Sequence, residues 1–180
     1  MTFIQAKNYT PSHGRTVSLI VLHSTESPES PGRASQIAKW FAGPTAPKAS
    51  AHYVVDVGEI WQCVSEHDIA WAAPGANHNG IHIELVGYAR QLPEDWTDVY
   101  SGAMLERAAK LTAEICKRYG LPAKVVGVAD LLAGASGITR HMDVTRAFKK
   151  STHLDPGEGF PLQRFVQRVG EMLSFPPVET

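Results

Sequence analysis

Val17-Ser-Leu-Ile-Val-Leu-His-Ser-Thr25 is the stretch from which the fold is read. Residues 17–22 form a short apolar run rich in β-branched side chains, the pattern of a strand buried in a sheet. The run ends at His23-Ser24-Thr25. An imidazole therefore stands at the carboxyl end of a buried strand, the edge where α/β sheets build their sites. A strand-end histidine can equally serve as a polar residue bonded to the following loop.

Outward from this strand, Pro28 and Pro31 make residues 26–32 a loop. Residues 34–42 read as a short helix with Ile37, Trp40 and Phe41 on one face. After a second loop at 43–49, residues 52–57 and 59–64 read as two strands joined at Gly58 in a hairpin. Residues 81–86 form another strand. The clearest helix runs over 98–119, where Met104, Ala108, Leu111 and Ile115 repeat along one face and Gly120-Leu-Pro stops it. A short helix at 128–133 and a terminal one at 162–173 follow. Residues 1–16 are polar and read as an irregular arm. Interleaved strands and helices with one hairpin predict an α/β single domain with a central mixed β-sheet flanked by helices.

Composition narrows the function. The chain has 180 residues, room for one well-built core. A formal charge of −1, with no basic run longer than Lys149-Lys150, argues against nucleic acid as partner. The apolar runs fall far short of the ~20 residues that span a membrane, so no membrane insertion is expected. The N-terminus lacks the basic start and apolar stretch of a secretory signal. The two cysteines, Cys63 and Cys116, form no CxxC pair and lie in apolar segments, which reads as two buried free thiols.

Position, rather than the count of eight histidines, selects the chemistry. His141 ends a β-like run, Gly137-Ile-Thr-Arg-His, after which Asp143 reads as a helix N-cap. Asp155 opens Asp-Pro-Gly-Glu-Gly, a rigid turn. His153 stands two residues earlier and, in extended chain, points to the same side. Zinc accepts imidazole nitrogen and carboxylate oxygen, and a catalytic site keeps three protein ligands with a fourth place for water. His23, His141 and Asp155 satisfy that rule, but spacing alone leaves His153 competing with Asp155. There is no HExxH helix.

Several segments together resemble the zinc-dependent N-acetylmuramoyl-L-alanine amidases of the bacteriophage endolysin and peptidoglycan-recognition type. They are Ile20-Val-Leu-His-Ser-Thr25, Ser50-Ala-His-Tyr-Val-Val55, Asn79-Gly-Ile-His-Ile-Glu-Leu-Val-Gly87, Arg140-His-Met-Asp-Val-Thr145 and Thr152-His-Leu-Asp-Pro-Gly157. The likeness runs in order from about residue 17 to 165. It implies one Zn2+ per chain held by His23, His141 and Asp155, the last at a position that some members give to Cys. It also implies Glu84 as general base. A carboxylate inside so apolar a strand is costly unless it is paired or solvated, which agrees with a functional role.

Two departures from the family pattern bear on mechanism. His153 stands where many members carry Lys or Thr, and an imidazole there can still donate to a developing oxyanion. Ala51 stands where some phage members carry a catalytic Tyr, which shifts the burden to Glu84. His52 reads as a core residue or as one that supports the site from behind. His82 shares Glu84's face and reads as lining the groove or orienting Glu84. Trp71 and Asn79 read as groove residues or, equally, as core packing or turn chemistry.

The resemblance implies a peptidoglycan or muropeptide substrate. It implies a single catalytic domain over 1–180, with its core at about 17–175 and no separate cell-wall-binding domain, acting as a monomer. An endolysin made in the host cytoplasm and released through a holin is expected. A cytosolic amidase that recycles muropeptides, or a peptidoglycan binder without activity, are the alternatives.

Overall fold

The computed structural model describes residues 1–174; the last residues of the expected domain, 175–180, lie outside the described residues. The elements run in chain order β1 (Thr2–Phe3), β2 (Tyr9–Thr10), β3 (Leu19–Ser24), α1 (Arg33–Ala42), β4 (Tyr53–Val55), β5 (Ile60–Gln62), β6 (Ile69–Ala70) and β7 (Gly80–Leu85). A 3₁₀ turn, Asp95–Thr97, leads into α2 (Val99–Tyr119), α3 (Val128–Leu132), β8 (Gly137–Arg140), α4 (His141–Phe148) and α5 (Leu162–Ser174).

All six residues of β3 are buried because strands flank it on both sides. It pairs in parallel with β7 and with β8, so Ile20 lies between Ile81 and Ile138. The six-stranded sheet runs β1-β5-β4-β7-β3-β8 and is mixed, with β4 and β5 antiparallel. Side chains alternate across β3. Ile20 and Leu22 enter the larger core with α2 and α5, whereas Leu19 and Val21 enter a smaller one with Leu131 of α3 and Val144 of α4. His23, next in the odd series, emerges on the side of α3 and α4.

The expected hairpin turns at Gly58, and Asp56 makes it. Asp56 Oδ1 accepts the N–H groups of Gly58 (2.7 Å) and Glu59 (2.9 Å). Its Oδ2 accepts from Ala34 N at 3.0 Å, satisfying a first-turn N–H of α1 that Gly32 leaves uncapped. One buried carboxylate thus joins the hairpin to α1. The long helix α2 matches its sequence signals, with the Asp98 side chain accepting from Ser101 N and Gly120 closing it at φ 64°. Cys63 and Cys116 are free and buried, and burial pushes their thiols up to about 12 and about 11.

Two local expectations change. Residues 1–16 are not simply an irregular arm: β1 pairs with β5, and β2 pairs with β6, a strand also unforeseen. Strands of two residues carry no period for a pattern to reveal. Asp143 is not the cap of α4. That helix starts directly from β8 at His141, Asp143 lies in its first turn, and Arg140 Nε donates to Asp143 Oδ2 at 2.8 Å. The N–H of Met142 goes instead to the backbone carbonyl of Asp155 at 2.9 Å.

The turn opened by Asp155 is pressed against the loop after β7. A Cβ built on Gly157 would overlap the carbonyl of Ala89, and one on Gly159 that of Gln91. These contacts are with backbone, so no side chain can yield. Gly157→Ala is expected to destabilise the protein by about 1–3 kcal/mol, read as a lower urea midpoint at unchanged slope. An unchanged midpoint would show that the turn does not need this close approach.

Candidate metal centre and substrate cleft

The three candidate ligands come from different elements: His23 from the end of β3, His141 from the first residue of α4, and Asp155 from the turn beyond it. Each offers a ligand atom within 4.8 Å of the others, and all three are buried. Asp155 Oδ2 lies 3.3 Å from His23 Nδ1, and its Oδ1 lies 3.1 Å from His141 Nδ1. Ser24 N–H also donates to Oδ2, at 3.3 Å. Burial works to raise the Asp155 carboxyl, but the bonds from His141 and His23 outweigh it and hold the group well below its usual range. Burial lowers His23, which favours its neutral, ligand-competent form.

Glu84 stands opposite His23 in the β3–β7 register and lines the same cleft. Its Oε2 is buried without a hydrogen-bond partner among the described residues. Burial pushes its carboxyl well up, and the nearby charges of Asp155 and Glu26 add to this. Two imidazole nitrogens and the Asp155 carboxylate thus converge beside a second carboxylate, Glu84, whose Oε2 has no donor among the described residues. Such a cluster fits a bound cation: the donor set matches zinc, and three protein ligands are the number a catalytic zinc site uses.

The cleft above this cluster holds about 350 Å³. A larger hollow of about 650 Å³ lies between α2 and α5, away from these residues. His153 lies on the rim of the cleft, with its side chain 71% exposed and its Nδ1 3.9 Å from Asp155 Oδ1. Its ring stacks on that of His141 at 5.3 Å and 14°. Trp71 lines the wall, 38% exposed, its indole N–H donating to Thr10 Oγ1 at 2.9 Å.

Other side chains lie elsewhere than expected. Asn79 is at the opposite end of β7 from Glu84, bonded to Ser18 Oγ at 2.8 Å, and does not line the cleft. His82 is fully buried behind the cleft, and its ring meets His23 rather than Glu84. The residue that sequence reasoning missed is Trp40. It is 49% exposed, and with Ile37 and Phe41 it forms an apolar wall of the cleft. The signal was an apolar face too wide for a helix whose buried residues are Ala34, Ala38 and Phe41.

Residues 13–158 match the family model described as N-acetylmuramoyl-L-alanine amidase. The chain belongs to this family. The amidase is 30% identical to N-acetylmuramoyl-L-alanine amidase A of Achromobacter lyticus over 171 residues, covering 89% of this chain and 86% of that relative. Its fold is similar to that of the Staphylococcus aureus hydrolase AmiA in complex with its ligand (TM-score 0.71, 17% identity, 96% and 82% of the two chains). It also resembles the endolysin amidase LysCS of Clostridium intestinale (TM-score 0.56, 17% identity, 94% of each chain).

Behind the cleft the amidase buries His52, as expected of a core residue. His52 Nδ1 accepts the backbone N–H of His82 at 3.0 Å, which leaves the proton on Nε2, 3.1 Å from the carbonyl of Asp68. Burial, and then the Arg15 guanidinium, lower His52 from its ordinary 6.5 to about 3. The unfolded chain takes up this proton near pH 6.5 and the folded one only near pH 3. The stability that His52 contributes is therefore complete above pH 6.5 and lost as pH falls towards 3, on the order of a few kcal/mol. Urea unfolding of the wild type and of His52→Gln at pH 7 and 4.5 measures this. The wild type should lose more stability between the two pH values than the variant, and equal losses would refute the assignment.

Proposed function

We propose that this chain is a zinc-dependent N-acetylmuramoyl-L-alanine amidase that hydrolyses the amide between the lactyl group of N-acetylmuramic acid and L-alanine of the peptidoglycan stem peptide. The observation that carries this reading is the convergence of His23 Nδ1, His141 Nδ1 and an Asp155 carboxylate beside Glu84 in one aromatic-walled cleft. His23, His141 and Asp155 would hold the ion. Zinc bound by such ligands supplies Lewis acidity and makes water acidic near neutral pH.

The remaining steps belong to the chain. Glu84 is desolvated and therefore holds protons more strongly than a surface carboxylate, which suits a general base. It takes a proton from water at the otherwise unpartnered Oε2. The oxygen adds to the lactyl carbonyl carbon, and Glu84 returns the proton to the amide nitrogen as the C–N bond breaks. The products are a muramyl lactyl carboxylate and a peptide with a free L-alanine amine. His153, exposed on the rim and stacked on His141, donates a ring N–H to the carbonyl oxygen as negative charge develops there. Trp71 and Trp40 wall the cleft where the substrate enters. The chain acts as a monomeric endolysin on the intact cell wall.

Mass spectrometry of digested sacculi, with and without a chelator, tests the bond and the metal together. Peptides that begin with free L-alanine should appear, vanish when metal is stripped, and return with zinc. Cleavage at another bond would overturn the reading. Activity confined to soluble muropeptides would replace the endolysin role with recycling.

Glu84→Gln should lower kcat by about 10²–10⁴-fold while zinc content, measured by atomic absorption, stays near one per chain. Near wild-type turnover would remove Glu84 from the mechanism.

A further inference from the structure

We propose that His82 is a positioning residue that sets the tautomer and orientation of His23, so that His23 presents a bare Nδ1 to the metal. The inference rests on the metal reading above and extends it to a residue outside the cleft. His23 Nε2 and His82 Nδ1 lie 3.0 Å apart, with ring centroids at 5.2 Å and planes at 56°. At that distance one proton, and only one, lies between the two nitrogens.

The proton has two places to sit, and they have opposite consequences. On His82 Nδ1, it leaves the neutral His23 with its own proton on Nδ1, facing Asp155, and His23 is no ligand. On His23 Nε2, it leaves Nδ1 with a free lone pair aimed at the shared centre. Metal-ligating histidines commonly donate their second N–H to a carboxylate, a carbonyl or water. Here the acceptor is an uncharged imidazole. It fixes the ring without placing an anion behind the site.

His82 is suited to this because it is itself immobile. It lies two residues before Glu84 on β7 and pairs in register with Val21, which puts its ring on His23's side of the sheet. Its backbone N–H donates to His52 Nδ1, and its carbonyl accepts from His52 N, both at 3.0 Å. The His52 and His82 rings stack at 5.6 Å and 13°. On the far side His82 Nε2 is buried without a partner among the described residues and packs on Gly80, where a Cβ would come within 2.9 Å of it. When Nδ1 accepts, His82's own proton sits on this nitrogen, so the arrangement carries one unpaired buried N–H as its cost. Among the described residues the ring therefore has one hydrogen bond, and that bond is to the candidate ligand.

Three measurements test the proposal. In the zinc-loaded wild type, long-range ¹H–¹⁵N NMR should show His23 protonated at Nε2, and a proton at Nδ1 would overturn the proposal with no variant needed. In competition with a chromophoric chelator, His82→Leu, which keeps bulk but loses the acceptor, should bind zinc about 10–100-fold more weakly. His82→Asn, whose Oδ1 replaces the acceptor, should recover affinity to within a few-fold. A folded Leu variant with wild-type zinc affinity, or an Asn variant as weak as Leu, would reduce His82 to a space-filling residue. A wild type that binds no zinc would instead remove the metal reading, and this inference with it.

Discussion

The carboxylate of Asp155 joins three parts of the chain that are far apart in sequence. Its Oδ2 meets His23 Nδ1 and the N–H of Ser24 at the end of β3, and its Oδ1 meets His141 Nδ1 at the start of α4. Its backbone carbonyl accepts the N–H of Met142. A buried charge left unpaired costs several kcal/mol or more, so it settles only where hydrogen bonds surround it. The bond that satisfies the carbonyl of Asp155 also replaces a cap for α4, which begins without a loop or a capping side chain. Gly157 and Gly159, packed on the backbone of the loop after β7, hold the turn that delivers this carboxylate.

What Asp155 joins, the sheet has already aligned. Parallel pairing of β3 with β7 and β8 brings their carboxyl ends to one edge, placing His23 beside Glu84 and running β8 straight into His141. The alternation of β3 then decides the side. Because Ile20 and Leu22 fill the core under α2, His23 must point the other way, to the side where the cleft opens. The opposite wall depends on Asp56, whose one carboxylate shapes the hairpin and caps α1. Ile37, Trp40 and Phe41 are thus placed by a residue that never touches the cleft.

The sequence carried this architecture where a period or a stop signal was long enough to read. The buried run ending at His23, the hairpin at Gly58 and α2 with its Asp98 cap and Gly120 stop are of that kind. The two-residue strands β1, β2 and β6 were not legible, because they exist only through pairing with partners distant in the chain. The same holds at the site. Spacing left Asp155 and His153 as rivals; the fold buries the first under Ser24 N–H and leaves the second on the rim. Asn79 lies in a segment that resembles the family's, yet it serves the far end of the strand. Trp40 was legible as apolar but not as a cleft residue, since a helical face does not say whether it meets a core or a cavity.

The two candidate histidine ligands are held by different physics. His23 is tied through Nε2 to a buried imidazole that solvent does not reach. His141 has no such tie: its Nε2 is buried and unpartnered among the described residues. Its orientation comes from its place at the head of α4, from the 3.1 Å contact of its Nδ1 with Asp155 Oδ1, and from the ring of His153 stacked over it. The rim residue proposed to donate to the reacting carbonyl is thus also the one packed over a candidate metal ligand, whereas His23 is held from behind by a ring that solvent does not reach.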